Sequence, residues 1–294
     1  MSETVRTRAS IADWFSLVRF SHSIFALPFA LCGAWLAADG VPPLRTLALI
    51  VVCAVAARTA AMGFNRLVDR DVDALNARTR GREIPSGRLS VGAVTLLVVV
   101  ACAVFVVASY ALHRLAGHLS WPVLAIVLSY SLFKRFSWLA HIVLGVALAL
   151  APLGAWIAVR GSFDAALAPV LWLALAVTSW VAGFDLIYAC QDAAFDEQAG
   201  LHSIPARFGV GFALKASSIA HVVTTIALVQ VGVSASLGWI WFSAVGAAAV
   251  ALIFEHRLVS KDDLSRVNAA FFTVNGWIGV GLFLGLALDR AFLG

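Results

Sequence analysis

The sequence predicts an all-α membrane protein in which nine transmembrane helices enclose a central cavity. Hydrophobic residues make up 62% of the 294 positions and charged residues 13%, and the mean hydropathy of +0.93 lies far outside the range of soluble globular domains. The apolar residues form segments that approach or reach the roughly 20 residues needed to cross a bilayer. Most basic residues lie in the connections on one side of these segments. Together these observations indicate a single multi-pass domain over residues 1–294.

The nine predicted spans are separated by turn signals such as Asp39-Gly40 and Gly161-Ser162. The fourth is the shortest of them. In chain order the spans cover residues 20–39, 44–64, 91–112, 119–133, 138–159, 168–190, 210–231, 236–254 and 270–290. An odd number of spans places the two termini on opposite sides of the membrane.

The distribution of Lys and Arg predicts the orientation of the spans. Sixteen basic residues lie in the N-terminal segment and in the connections on its side, against four on the opposite side. Because cytoplasmic loops are enriched in Lys and Arg, we expect the N-terminus in the cytoplasm, the C-terminus on the opposite side, and the chain among the lipids of a cell inner membrane. This bias also explains the net charge of +5, so no nucleic-acid partner is expected, and no feature indicates an obligate protein partner. Arg19, which opens the first span, is interpreted as an interfacial anchor or as a substrate contact.

A first acidic segment, residues 65–88, begins where the second span ends. Asn65, Asp69 and Asp73 are spaced i, i+4 and i+8, so on a helix they share one face. Like charges at this spacing repel one another, and a divalent cation with a preference for oxygen ligands would relieve the repulsion. The segment also contains basic candidates for binding a negatively charged substrate: Arg66, Arg78 and Arg82.

A second acidic segment, residues 185–209, repeats this pattern on the same predicted side. Asp192 and Asp196 form a second DxxxD spacing, and on an ideal helix Asp185 lies within about 20° of the same stripe, with Tyr188 on its flank. Both segments continue to an Ile-Pro pair, at 84–85 and 204–205. The repetition predicts two acidic motifs that face one cavity.

Paired acidic motifs with basic neighbours predict a site for a metal-bound diphosphate. Mg²⁺ prefers oxygen ligands and is typically held by one or two carboxylates together with substrate phosphates. Lys134 and Arg135, which end the fourth span on the same side, would help the arginines of the first segment to neutralise the diphosphate. An apolar chamber among the spans would hold a hydrocarbon chain attached to it.

The two motifs resemble those of the UbiA superfamily of intramembrane aromatic prenyltransferases. The resemblance rests on NxxxDxxxD at residues 65–73 and on DxxYAxxDxxxD at residues 185–196, and it covers essentially the whole chain. The stretch RTAAMGFNRLVDRDVDALNARTR is most similar to the bacterial branch labelled 4-hydroxybenzoate polyprenyltransferase, which includes enzymes of the futalosine route to menaquinone. Arg66 stands where many ubiquinone-pathway members have Asp, and this departure weakens the benzoate assignment.

The resemblance implies Mg²⁺-dependent transfer of a polyprenyl group from a polyprenyl diphosphate to the ring carbon of a small aromatic acid, a quinone precursor. The preferred acceptor is 1,4-dihydroxy-6-naphthoate or a related acid of menaquinone biosynthesis, and the alternative is 4-hydroxybenzoate of ubiquinone biosynthesis. The implied ligands of Mg²⁺ are Asn65, Asp69, Asp73, Asp192 and Asp196.

The same resemblance implies roles for the other candidates. The four DxxxD carboxylates would act in catalysis by holding the leaving diphosphate through Mg²⁺. Tyr188 would stabilise an allylic cation with its ring face, and Asp185 would orient Tyr188 or take part in acceptor handling. The implied substrate-binding residues are Asn65, Arg66, Arg78, Arg82, Lys134, Arg135 and Arg19.

Other interpretations stay open at this point. Carboxylates within membrane segments also mark the ion pathways of cation-coupled transporters, although here they lie at the ends of spans beside basic loops. Within the family, a haem, a chlorin or a glycerol phosphate are further possible acceptors.

Overall fold

Twelve α-helices follow one another along residues 10–18, 26–267 and 274–294, which is the part of the chain that the computed structural model describes. No β-strand occurs in this part. The helices are α1 (Ile11–Val18), α2 (Leu27–Ala38), α3 (Leu44–Leu75), α4 (Val91–Leu112), α5 (Arg114–Phe133), α6 (Ala140–Arg160), α7 (Ala168–Ala189), α8 (Ala193–Gln198), α9 (Ile204–Phe208), α10 (Val210–Ser234), α11 (Trp239–Arg257) and α12 (Asn275–Phe292). Arg19 lies outside the described residues.

Seven of the described helices are long and apolar enough to cross a membrane, namely α3, α4, α5, α6, α7 with its continuation to Gln198, α10 and α11. The chain is therefore an all-α, multi-pass membrane protein, as the composition predicts. The first and ninth predicted spans overlap residues 19–25 and 268–273, which lie outside the described part. Their described portions are α2, with 12 residues, and α12, with 18 residues.

Two predicted boundaries differ from the observed helices. The sequence predicts that the second span ends at residue 64, but α3 is 32 residues long and ends at Leu75. The first acidic motif therefore lies in the last turns of a helix. Its carboxylates can be buried there because they are paired with cations. The fourth span begins at Arg114 instead of 119, since the side chain of His113 caps it by accepting a hydrogen bond from the Leu115 N–H at 3.1 Å.

The second acidic segment also departs from the predicted single stripe. α7 ends at Ala189, a 3₁₀ turn covers Cys190–Asp192, and α8 begins at Ala193. A 3₁₀ turn advances about 120° per residue instead of about 100°, so these three residues turn Asp192 by about 60° from its position on an ideal α-helix. Asp185 and Asp192 have different partners, as described below.

The central helix of the bundle is α7, which packs between α6 and α10. Five of its core residues are at most 1% exposed: Val170, Leu173, Val177, Trp180 and Val181. α6 approaches it closely at Gly145, where a Cβ atom would lie 2.3 Å from the carbonyl oxygen of Thr178. This close packing of two antiparallel helices holds the start of α6 against the end of α7.

An apolar cavity of about 510 Å³ lies among α3, α4, α5 and α6. Its wall on α3 consists of residues at helical spacing from Ile50 to Met62, and Asn65 is one turn further along the helix. The polar side chains in the wall are Cys53, Arg58, Ser109, Ser120 and Tyr130. The cavity thus adjoins the end of the bundle formed by residues 65–90, 130–141 and 185–209, which we call the charged end.

Candidate active site

The first acidic motif is buried at the charged end. Asp69 is 1% exposed and Asp73 is 4% exposed. The side-chain nitrogen of Asn65 donates a hydrogen bond to Asp69 Oδ2 at 3.0 Å, as the i, i+4 spacing predicts. Burial of an ionised carboxylate is costly unless a cation or several donors compensate it. The neighbouring basic residues supply this compensation.

Each carboxylate of the first motif contacts a cation. Lys134 Nζ lies 3.0 Å from Asp69 Oδ2, and Arg135 Nη2 lies 3.6 Å from Asp69 Oδ1. Arg82 Nη1 lies 2.7 Å from both oxygens of Asp73. Lys134 and Arg135 follow the end of α5, so this helix brings two cations to a motif on α3. The structure therefore groups three of the predicted substrate-binding cations with the predicted metal ligands of the first motif.

Arg78 joins the first acidic segment to the second. Its Nε donates to Asp192 Oδ1 at 2.9 Å, its Nη2 donates to Asp192 Oδ2, and its Nη1 donates to the Tyr188 hydroxyl at 2.9 Å. Asn76 adds a hydrogen bond to Asp192 Oδ1 at 3.3 Å. Asp196 lies four residues further along, in α8. The two segments thus face each other, as the repeated motif predicts.

Asp185 has a partner that the sequence analysis does not identify. Its Oδ2 lies 2.7 Å from Nδ1 of His141, a buried residue at the start of α6. The backbone N–H of Ile204 donates to the other ring nitrogen of His141 at 3.4 Å. This pair joins α6, α7 and α9 at the charged end.

Arg66 lies inside the protein, beside Glu83. Its Nε is 3.7 Å from Glu83 Oε2, and both side chains are at most 5% exposed. Its Nη1 donates to the side-chain oxygen of Asn65 at 3.4 Å. Ser16 of α1 donates to Glu83 Oε1 at 2.5 Å. These contacts give Arg66 a structural role, and a substrate contact by this residue stays a prediction.

A second contact holds α1 against the loop between α3 and α4. Hydrogen bonds from the backbone and the side chain of Ser10 lower the pKa of the Asp13 carboxyl below its usual value. The ionised carboxylate accepts a hydrogen bond from Arg88 at 2.6 Å. The same loop carries Arg78 and Arg82, so α1 helps to fix the part of the chain that supplies cations to the site.

Replacing Glu83 with alanine is expected to destabilise the protein by about 3–5 kcal/mol, because it removes a buried carboxylate beside the buried charge of Arg66 and removes the acceptor of Ser16. The measurement is thermal unfolding of the purified protein in detergent. The matched control is Glu197→Ala in α8, where the side chain is exposed. Equal unfolding temperatures for the two variants would contradict the structural role of Glu83.

The donor set at the charged end fits Mg²⁺ by its chemistry. It consists of the carboxylates of Asp69, Asp73, Asp192 and Asp196 with the amide of Asn65, all of them oxygen donors. Asp69 Oδ1 is buried and accepts no hydrogen bond from the described residues. No three His, Cys, Asp or Glu side chains in the described part form a preassembled metal cluster, because Lys and Arg occupy the positions next to the carboxylates.

Three further residues of the site were not predicted as site residues. Arg58 and Tyr130 line the cavity, and His141 contacts Asp185. A signal existed for Arg58, since a charged residue within an apolar span is expensive and therefore functional by default. Tyr130 precedes Lys134 by one helical turn, which places it on the same face of α5. No pattern in the sequence pairs His141 with Asp185.

Comparison with known proteins identifies the family. Residues 26–277 match the UbiA prenyltransferase family. The 4-hydroxybenzoate octaprenyltransferase of Aromatoleum aromaticum is 32% identical over 257 residues, which cover 87% of this chain and 85% of that protein. The 4-hydroxybenzoate octaprenyltransferase of Pseudomonas aeruginosa is 31% identical over 287 residues, covering 95% and 94%.

Solved structures agree with this assignment. The apo structure of a UbiA homologue from Aeropyrum pernix K1 is 33% identical, with a TM-score of 0.83 over 91% of this chain and 98% of that chain. A UbiA homologue from Archaeoglobus fulgidus, solved bound to DMAPP and Mg²⁺, has the same fold at 20% identity, with a TM-score of 0.73 over 96% and 100% of the two chains. The comparisons support an enzyme, and none supports the transporter alternative. The chain belongs to the UbiA prenyltransferase family.

Proposed function

We propose that this prenyltransferase moves a polyprenyl group from a polyprenyl diphosphate to a ring carbon of 4-hydroxybenzoate or a closely related aromatic acid. The observation that carries the proposal is the position of an apolar cavity that contains Arg58 next to the ion-paired charged end: Met62 and Tyr130 line this cavity, about one helical turn from Asn65 and Lys134. A diphosphate fits the first environment, and a hydrocarbon chain with an aromatic acid fits the second. The names of the relatives in Aromatoleum aromaticum and Pseudomonas aeruginosa support the benzoate class.

Charge balance supports a diphosphate that binds together with a divalent cation. Within the charged end, the four carboxylates of the two DxxxD motifs lie among four predicted substrate-binding cations: Arg78, Arg82, Lys134 and Arg135. Because these groups already neutralise one another, a diphosphate bound alone would leave the site strongly negative. A cation that enters with it restores the balance and frees the basic side chains for the phosphate oxygens.

Mg²⁺ would be held by Asn65, Asp69 and Asp73 on α3 and by Asp192 and Asp196 on the opposite segment. When bound, it would stabilise the negative charge of the departing diphosphate. Support comes from the oxygen-only donor set and from the Archaeoglobus fulgidus homologue, whose structure contains DMAPP and Mg²⁺. Arg82 and Lys134 would contact the phosphate oxygens once released from the carboxylates.

Other residues of the chain would protect and orient the allylic group. The Tyr188 ring lies beside the Arg78–Asp192 pair, where it could face the positive charge that develops on the allylic carbon. The apolar wall of the cavity excludes water, which would otherwise capture this carbon. These two features favour attack by the acceptor ring over hydrolysis.

Arg58 would bind the carboxylate of the aromatic acid. It lies on α3 seven residues before Asn65, which corresponds to roughly 10 Å along the helix at 1.5 Å per residue. A benzoate bound between the two would place its carboxylate toward Arg58 and its ring toward the diphosphate end. Tyr130, on the α5 wall of the cavity, could contact the ring or its hydroxyl group.

The naphthoate acceptor has weaker support than the benzoate. Its sequence argument rests on Arg66, and the contact of this residue with Glu83 provides a structural reason for an arginine at that position. The relatives named above also favour the benzoate. 1,4-Dihydroxy-6-naphthoate carries a carboxylate that Arg58 could bind equally well, so it is the acceptor against which the proposal is tested.

The proposed membrane arrangement has nine crossings, with α2 and α12 as parts of the first and the ninth. Residues 1–294 would form a single domain, with the N-terminus and the charged end in the cytoplasm of a bacterial cell and the surrounding helices in contact with inner-membrane lipids. The excess of basic residues on this side supports the orientation. Function without an obligate protein partner stays a prediction.

The test is prenylation by the purified protein in detergent or nanodiscs, with a polyprenyl diphosphate and either 4-hydroxybenzoate or 1,4-dihydroxy-6-naphthoate. We expect prenylated hydroxybenzoate in the presence of Mg²⁺, a loss of product to background with EDTA, and recovery when Mg²⁺ is restored. If only the naphthoate is prenylated, 1,4-dihydroxy-6-naphthoate replaces 4-hydroxybenzoate as the proposed acceptor. Absence of Mg²⁺-dependent diphosphate binding would contradict the proposed function itself.

A further inference from the structure

We propose that Asp185 receives the proton that the acceptor ring loses on prenylation, and that His141 is the positioning residue that holds the Asp185 carboxylate for this step. The proposal rests on the proposed function and deepens it. It starts from a contrast among the acidic residues of the charged end. Asp69, Asp73 and Asp192 each contact Lys or Arg, whereas the contact described for Asp185 is with an imidazole.

The imidazole of His141 is held from both sides. Ile204, the first residue of α9, has a backbone N–H without an acceptor inside its own helix, and this group donates to His141 Nε2 at 3.4 Å. Since Nε2 accepts, the neutral ring carries its proton on Nδ1, which lies 2.7 Å from Asp185 Oδ2. The hydrogen bond fixes the orientation of the Asp185 carboxylate.

Asp185 is more accessible than the ion-paired carboxylates. Its side chain is 24% exposed, against 2% for Asp69 and 5% for Asp73. His141 engages Oδ2, which leaves Oδ1 as the oxygen that would take the proton.

The pair lies one helical turn from a cavity-lining residue on α6 and one turn from a residue on α7 that contacts Arg78. His141 shares a face of α6 with Leu144 and Leu148, which line the cavity. Asp185 precedes Tyr188 by one turn of α7, and Tyr188 contacts Arg78. The attacking ring carbon must meet the allylic carbon beside the diphosphate, so its proton is released in this region.

The step balances without any other reactant. The bond between the allylic carbon and the diphosphate oxygen breaks, and its electron pair leaves on the diphosphate. The ring carbon forms a new bond to the allylic carbon. The C–H bond at that ring carbon then breaks, its electron pair restores the aromatic ring, and the proton moves to Asp185 Oδ1. Solvent at the charged end later takes the proton from Asp185.

The test compares Asp185→Asn, His141→Leu and His141→Asn in the prenylation assay, with 4-hydroxybenzoate carrying either hydrogen or deuterium at the ring carbons next to its hydroxyl group. We expect Asp185→Asn to lower kcat by about 100-fold, the usual scale of a lost general base. Proton loss then limits the rate, so a primary deuterium isotope effect larger than that of the wild type is expected. His141→Leu should lower kcat by about tenfold and should also raise the isotope effect. His141→Asn keeps an N–H near the position of Nδ1, so its kcat should be close to that of the wild type.

Binding of the polyprenyl diphosphate with Mg²⁺ separates this role from a structural one. It should stay within about twofold of the wild type in Asp185→Asn and His141→Leu. A wild-type rate in Asp185→Asn would overturn the proposal, as would a lowered rate with an unchanged isotope effect or with lost diphosphate binding. A wild-type protein that forms no prenylated acid would instead refute the proposed function.

Discussion

Replacing Asp69 with asparagine is expected to lower kcat/KM for prenyl transfer by about 10³-fold, which corresponds to about 4 kcal/mol of transition-state stabilisation. Asp69 is buried and contacts both Lys134 and Arg135. The substitution keeps the shape of the side chain but removes its charge, so it weakens the hold on Mg²⁺ and leaves two cations unbalanced. The measurement is initial-rate kinetics over a range of Mg²⁺ concentrations, where the variant should also need more Mg²⁺.

The matched control for this prediction is Asp71→Asn, the same substitution two residues along α3. The Asp71 side chain is 85% exposed and lies 3.4 Å from Arg70 on the helix surface. Exposed ion pairs contribute little, so its kcat/KM should stay within about twofold of the wild type. Similar losses in both variants would show that negative charge near this helix matters in general and would contradict a specific role of Asp69.

Replacing Arg58 with glutamine is expected to raise the KM for the aromatic acid by about 10- to 100-fold, because a buried charge-assisted hydrogen bond to a carboxylate contributes roughly 1.5–3 kcal/mol. The KM for the polyprenyl diphosphate should be unchanged, since Arg58 lies in the cavity wall away from the acidic motifs. The measurement is steady-state kinetics with each substrate varied in turn.

Two controls make the Arg58 prediction specific. Arg70→Gln changes the same residue type on the same helix at a side chain that is 45% exposed, and it should leave both KM values unchanged. An acceptor that lacks the carboxylate, such as a simple phenol, should react equally slowly with wild type and with Arg58→Gln. If Arg58→Gln lowers kcat equally with every acceptor, Arg58 does not recognise the carboxylate, and the prediction is contradicted.

The spacing of polar residues predicted much of the charged end. Asn65 and Asp69 contact each other as their i, i+4 spacing requires, and the repeated DxxxD pattern correctly anticipated that the two segments face each other. A local periodicity suffices here because the residues lie on one helix or at the ends of neighbouring helices. The spacing did not reveal the 3₁₀ turn at Cys190–Asp192, which interrupts the helix on which the stripe of Asp185, Asp192 and Asp196 was based.

The pairing of individual charges could not be predicted from the sequence. Arg78 is nearer in the chain to Asp73, but it contacts Asp192, which lies 114 residues away. Arg66, one position from Asn65, contacts Glu83 in the interior. The partner of each cation depends on the distances between side chains of different helices in the assembled bundle. Each Lys or Arg pairs with a carboxylate that its side chain can reach there.

The sequence by itself determined the class of the protein, a helical membrane protein with two acidic motifs, because apolar length and residue spacing are local properties. Its resemblance to UbiA prenyltransferases is carried by the same short motifs. Only the tertiary structure decided where the cavity lies, that Arg58 and Tyr130 line it, and that His141 meets Asp185. These features join side chains from different helices, and the close contact of α6 and α7 at Gly145, which no periodicity encodes, brings the last pair together.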